Sequence, residues 1–189
     1  ASKFSESLAT ALQQEGVPVV LVDSNTRRLS KARLAGIPTA QADATSAHPA
    51  EHIPMGGLGH LLALTSNEQV NRLATQQFSE FFGRGEVYRL QDGQADRDVD
   101  GGRSLFADGV SHQELARRME SGETVRATGL SDEFSLADFE EYHEGKALPL
   151  LIRRGSDRSL PLTQSAEVSP EASDTLFYLG PEPRKSAPI

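Results

Sequence analysis

The chain of 189 residues has no cysteine, which excludes disulfides, thiol catalysis and thiolate metal sites and leaves the compartment open. No apolar run approaches the roughly 20 residues that a membrane-crossing helix needs, and the longest, such as Val17 to Val22, are strand-sized. The amino end lacks the basic, apolar, cleavable pattern of a signal peptide. Basic residues are the minority: 19 Lys and Arg stand against 27 Asp and Glu, for a formal net charge of −8. No basic face is implied, so nucleic acid is not an expected partner. Catalytic signatures are missing too. There is no G-x-S-x-G elbow and no Walker-type G-x-x-x-x-G-K-[ST], and the carboxylates of "DFEEYHE" read as the wet side of an amphipathic helix. These absences predict a soluble, non-enzymatic chain of one or two domains whose function is binding. It is expected in the cytosol, or as a soluble piece of something larger.

What is present falls into two rhythms. Residues 1–91 alternate helix and strand. "FSESLATALQQEG" puts Phe4, Leu8, Ala11 and Leu12 on one helical face and stops at Gly16. "VPVVLV" reads as a buried strand. "TRRLSKARLAG" reads as a helix with Leu29, Ala32 and Leu34 facing in. "IPTAQAD" is a short strand, "HPAEHIPM" a short helix and "HLLALT" a strand. "SNEQVNRLATQQFSEFFG" is a long helix capped by Ser66 or Asn67, with a stripe of Val70, Leu73, Ala74, Phe78 and Phe81. "EVYRL" closes the half as its last strand. Such alternation predicts a parallel sheet with helices on both faces.

Residues 92–102, "DGQADRDVDGG", read as an acidic, glycine-rich linker. Residues 103–182 follow another pattern. Two helices with capping boxes, Ser111 with Glu114 and Ser135 with Asp138, alternate with "ETVRATGL", "LPLLIRR", "SLPLTQ" and "DTLFYLG". In the second helix Leu136, Phe139 and Tyr142 are expected to face inward. That is α+β rather than βαβ. Residues 183–189 read as a frayed tail.

The informative detail is "PVVLVDSN", a β-branched run that ends in Asp23. In open parallel sheets ligands sit beyond the carboxyl ends of the strands, and an acid there can accept hydrogen bonds from both hydroxyls of a ribose. "QADATS" ends the next strand with Asp43, Ala44 and Thr45, and "LLALTSN" ends the third with Thr65, Ser66 and Asn67. Ser24 and Asn25 complete the first of these three polar strand ends. Each is also what a turn or helix cap looks like. Together they outline a crevice for a nucleotide. The glycine-rich phosphate turn expected about 20 residues before Asp23 would fall at "ASKFS". Its remaining positions read Ser2 and Ser5, whose helix-start amides and hydroxyls suit an anion.

Two other constellations carry ligand-type residues. Asp96, Asp98, Asp100 and Gly101 match the first half of a calcium loop, but its last position is Ala107 where a bidentate Glu belongs, so the segment reads as linker. His48 and His52 are four apart without a third ligand and read as surface histidines.

"GVPVVLVDSN", "LAGIPT", "ADAT" and "LLALTSNEQVN" together resemble the regulator-of-potassium-conductance domain, or Trk-type NAD-binding domain, across roughly residues 1–91. "SPEASDTLFYLG" is similar to the closing strand of its companion C-terminal domain. The resemblance implies an α/β fold, a Rossmann-like parallel sheet whose first strand is absent from the sequence, followed by the smaller α+β domain. It implies NAD or AMP as cofactor. Asp23 would hold the adenosine ribose, Asp43 and Ala44 would lie near the adenine, and Thr65 and Asn67 would face the phosphates or the distal end. It further implies a homodimer on the cytoplasmic side of the bacterial inner membrane, joined to the transmembrane transporter domain of a sodium or potassium/proton antiporter. A non-binding dimerisation module and a soluble NAD-dependent oxidoreductase are the alternatives. For the sheet, a missing central strand predicts one of three outcomes: a gap or altered order, a strand borrowed from elsewhere, or residues upstream of the sequence shown.

Overall fold

The computed structural model describes residues 1–46, 53–91, 102–106, 110–155, 158–161 and 169–181. The short helix expected at 48–55 lies largely outside them, as do His48, His52, the calcium candidates Asp96, Asp98 and Asp100, and the tail 183–189.

Local signals set the first elements. Helix α1 (Lys3–Gln14) is capped by Ser2, whose hydroxyl accepts from the Ser5 amide at 3.2 Å, while the Ser2 amide donates to Ser5 Oγ at 2.8 Å. Two orphan amides of the first turn are satisfied this way. The helix buries Phe4, Ser5, Leu8, Ala9, Ala11 and Leu12, the face its periodicity predicts. It ends in a Schellman motif. Gly16 takes φ +75°, its amide donates to the Gln13 carbonyl, and Val17 donates to Leu12. Strand β1 (Leu21–Asp23) and helix α2 (Thr26–Leu34) follow. Gly36 and Ile37 close α2 in the same way, and the side chain that folds into the core there is Ile37. Leu34, expected inside, is 89% exposed, because the Schellman turn sends Ile37 inward in its place.

Strand β2 (Thr39–Gln41) pairs parallel with β1, Leu21 opposite Thr39. Strands β3 (Leu61–Ala63), β4 (Val87–Leu90) and β5 (Arg103–Leu105) form a second parallel sheet in the order β3-β4-β5. The expectation that "EVYRL" is the last parallel strand is therefore corrected. Leu105 is fully buried, and only a further edge beside Leu90 can pair its backbone and bury it at once.

Helix α3 (Glu68–Phe82) joins β3 to β4. Asn67 is its cap, accepting from the Gln69 and Val70 amides. Its buried face is Asn71, Ala74, Thr75 and Phe78, and Leu73 and Phe81 of the expected stripe are instead 43% and 52% exposed. The helix is rotated because Asn71 is bonded to the end of β3 and to the Leu90 carbonyl.

The remaining strands, β6 (Thr124–Gly129), β7 (Leu148–Arg154), β8 (Arg158–Pro161) and β9 (Thr175–Gly180), make an antiparallel sheet ordered β6-β9-β7-β8. Helix α4 (His112–Glu120) precedes β6, and α5 (Leu136–Tyr142) precedes β7. At α5 the predicted box of Ser135 and Asp138 is complete, whereas at α4 Ser111 caps alone. Glu114 is drawn away by a bidentate pairing with Arg117, at 2.6 and 2.9 Å, so its carboxylate does not reach back. Phe139 is buried and Tyr142 is 53% exposed, since a seven-residue helix turns only one strip inward. The fold is thus α/β with parallel strands first, then a small antiparallel α+β region.

The two regions share a core. Phe4, Leu8, Tyr88 and Leu105 pack in one cluster with Val125, Leu148, Leu151, Phe177 and Leu179. Ser7 Oγ accepts from the Val125 amide at 2.9 Å, and Arg153 donates to the Glu15 carbonyl.

The parallel strands are divided. One edge of β1 pairs with β2 and one edge of β3 pairs with β4, and no strand lies between β1 and β3 among the described residues. Among the described residues the sheet carries a gap, which is also what residues upstream of the sequence shown would leave.

Candidate functional site

The gap is a slot with a polar mouth. A cavity of about 770 Å³ runs along it. The strands on its two sides point the same way. Gly57, just before β3, lies against Pro18, just before β1, so close that an added Cβ would touch the proline ring at 3.9 Å. Asp23 and Thr65, at the far ends of the same strands, both line the cavity. Helix α1 roofs one face with Leu8 and Leu12, and α3 floors the other with Ala74 and Phe78. Val19 and Leu62 turn toward the α1 side, Val20, Val22 and Leu61 toward the α3 side. Period-two alternation accounts for that division.

At the mouth, Asp23 is the charged strand end. Its carboxylate accepts from the Asn25 amide at 2.8 Å, pairs with the Ala1 ammonium, and lies 3.9 Å from the Arg28 guanidinium. Burial pushes its carboxyl up, but the Ala1 ammonium, the Asn25 amide and Arg28 outweigh that and hold it below its ordinary value. It is an anion with acceptor positions turned to the start of α1.

Of the residues singled out from sequence, Ala1's neighbours Ser2 and Ser5, together with Asp23, Ala44, Thr65 and Ser66, line this one cavity. The others are turned to local work. Asn25 caps α2 through the Arg27 amide at 3.0 Å, and Asn67 caps α3. Asp43 folds onto Thr45, accepting from its amide at 2.9 Å and its hydroxyl at 2.6 Å, contacts that keep its carboxyl below the ordinary value. Ser24 is exposed, and its carbonyl accepts from Gln41 Nε2 at 3.4 Å. These polar strand ends are first of all helix and turn caps.

Two contributors escaped the sequence reading. Arg28 sits in the first turn of α2, within reach of the Asp23 carboxylate, and nothing in its spacing marks it. Asn71 is 1% exposed and holds the end of β3. Its Oδ1 accepts from the Thr65 amide at 3.0 Å and the Thr65 hydroxyl at 2.7 Å, and its Nδ2 donates to the Thr65 and Leu90 carbonyls. An amide four residues after a capping Asn, on the inner face of a helix, is the signal that was there to be read.

The arrangement suits a ligand with an apolar body and a polar end. No group of three or more metal-ligating side chains converges among the described residues. No described helix is long and apolar enough to cross a membrane. Comparison with known proteins finds that the TrkA-N domain model matches residues 1–98. A search of curated proteins returned no match.

Proposed function

The chain belongs to the TrkA-N domain family, and from that premise we propose that it is a regulatory module that senses a nucleotide, NAD or AMP, at the mouth of the slot. Domains of this family are typically nucleotide-binding regulatory domains of potassium transport systems and are usually not catalytic. The observation that carries the reading is Asp23. It is an ionised carboxylate at the carboxyl end of a parallel strand, facing the amino end of α1 across a cleft also lined by Ser2, Ser5, Thr65 and Ser66. A ribose fits the acceptor, a phosphate fits the start of a helix, and an adenine fits the apolar wall at Ala44.

In this reading the module serves a monovalent cation/proton antiporter from the cytoplasmic side of the bacterial inner membrane, joined to its transmembrane part and paired as a homodimer. Sensing requires the nucleotide to bind two conformations unequally, since equal binding shifts nothing. A groove that loses or gains a ligand between α1 and α3 supplies such a difference. The second reading, a dimerisation module that binds nothing, draws on the cap geometry. Ser2 and Ser5 spend their hydroxyls on each other's amides, and Leu73 and Phe81 expose an apolar strip on α3.

Calorimetry separates the two. NAD, NADH, AMP and ATP are titrated into the wild type and into Asp23→Ala. Binding by at least one nucleotide, weakened about tenfold or more by the substitution, supports sensing, the loss being that of one charge-assisted bond. Binding no tighter than about millimolar for all four, or binding indifferent to Asp23, rejects it.

A further inference from the structure

We infer that the outer face of α2 is a docking surface for an anionic phospholipid bilayer, on which the helix lies with Arg27, Lys31 and Leu34 turned to the headgroups.

Composition implies no basic face, yet the fold presents one. The nine residues of α2 hold four cations, Arg27, Arg28, Lys31 and Arg33, and no acid, in a chain where Asp and Glu outnumber Lys and Arg by 27 to 19. Leu29 and Ala32 are buried and set the inward face. Spacings of four and three residues then put Arg27, Lys31 and Leu34 in one row on the opposite side. All three are exposed, Leu34 almost wholly so. The other two cations flank the row. Arg28 leans toward Asp23, and Arg33 Nε donates to Thr39 Oγ1 at 2.8 Å on the other side. No carboxylate pairs with Arg27, Lys31 or Arg33 among the described residues.

A face that served only solvation would not need this pattern. Arg27 and Arg28 stand in the first turn, where the positive end of the helix dipole favours acids, and the turn has none. Arg27 and Lys31 are like charges four residues apart and repel along the helix. The row ends in a leucine left in water. These choices cost the isolated helix stability, and an anionic layer against the row offsets each of them.

The spread of the charges selects the partner. From Arg27 to Leu34 the row is about 10 Å long at 1.5 Å per residue, and the flanking arginines widen it. Cations that converge on a point hold one phosphate, whereas cations spread over a helix face match anions spread over a surface. A leucine among them suits the boundary between headgroups and acyl chains, where long basic side chains reach up to the phosphates around it. A nucleic-acid backbone would meet the charges but give the leucine no apolar surroundings. The net charge of −8 does not oppose this contact, because at physiological salt charges more than about 8 Å away are largely screened. The inference rests on the membrane-side placement proposed above and not on nucleotide binding.

The test sediments the full chain with vesicles of phosphatidylcholine alone and of phosphatidylcholine with about 30% phosphatidylglycerol. Binding to the anionic vesicles is expected to be at least about tenfold tighter than to the neutral ones, since each cation near such a surface strengthens attachment by roughly fivefold. Arg27→Gln with Lys31→Gln is expected to weaken it by about tenfold or more, and Leu34→Ser by about threefold. These side chains face solvent, and Tm is expected to hold or to rise when the two charges are removed. Equal binding to both vesicle compositions, or binding indifferent to Arg27 and Lys31, overturns the inference. So does capture by soluble poly-glutamate or duplex DNA at least as tight as by the anionic vesicles. Nucleotide titration of the same variants is expected to match the wild type and is read independently, so either conclusion can fail without the other.

Discussion

Asn71 is a neutral amide inside a helix whose other inward residues are small or apolar, and all of its bonding reaches outside its own helix. It ties the end of β3 and the carbonyl of Leu90 to α3, and so fixes where Thr65 and Ser66 stand at the mouth of the cleft. Asn71→Leu keeps the volume and strands the Thr65 amide and two carbonyls. A loss of about 2 to 3 kcal/mol in urea unfolding is expected, because buried groups without partners cost more than the bond itself returns. A loss below about 0.5 kcal/mol, the level of an ordinary surface change, would show that the tie is incidental. Asp23 teaches the same lesson from the other side. Its position at a strand end was legible as sequence. Its approach to the Arg28 guanidinium was not, because although Arg28 is five residues away, only the turn from β1 into α2 brings the two together.

Elements were read well where their own ends carry the chemistry. Four helices close with the same pair of bonds after their last turn: Gly16 and Val17, Gly36 and Ile37, Gly122 and Glu123, Glu144 and Gly145. Only a positive φ permits that closure, so glycine marks three of the four stops in the sequence. Orientation about the helix axis was read less well. Hydrophobicity points Leu73 and Phe81 inward, but α3 presents Asn71 and Thr75 instead. Thr75 meets the chain again at Gly102, where β5 begins. Gly102 has φ +112°, and a Cβ there would lie 2.8 Å from Thr75 Cγ2. Gly102→Ala is therefore expected to cost about 2 to 4 kcal/mol, from the backbone conformation and the overlap together. Adding Thr75→Ala should restore only the part due to Cγ2 and Oγ1, because Thr75 Cβ, 2.9 Å from the added Cβ, remains, and a double-mutant cycle in urea measures that part. Full restoration would mean that the backbone carries no strain.

At the scale of the whole molecule, the change of rhythm near residue 92 does not separate two cores. Phe4 and Leu8 of α1 pack in the same cluster as Val125, Leu148 and Phe177 of the antiparallel sheet. Phe177→Ala removes a fully buried ring and is expected to cost about 3 to 5 kcal/mol. Probes in β2 and in β6 should then melt together at the lowered temperature, in one transition. Two separate transitions, with β2 left at its original midpoint, would show independent units.

The α/β class, the helix stops, the acid at the strand end and, apart from β5, the order of the described elements were determined by the sequence itself. Each depends on residues within a few positions of one another: a period of two or 3.6, a glycine at a positive φ, a serine three residues before its partner amide. Tertiary structure alone decided that β5 extends the parallel sheet, that α3 turns Asn71 inward and that one core serves both regions. Those outcomes depend on backbone groups and side chains far apart in the chain competing for the same neighbours, and no local pattern records who wins.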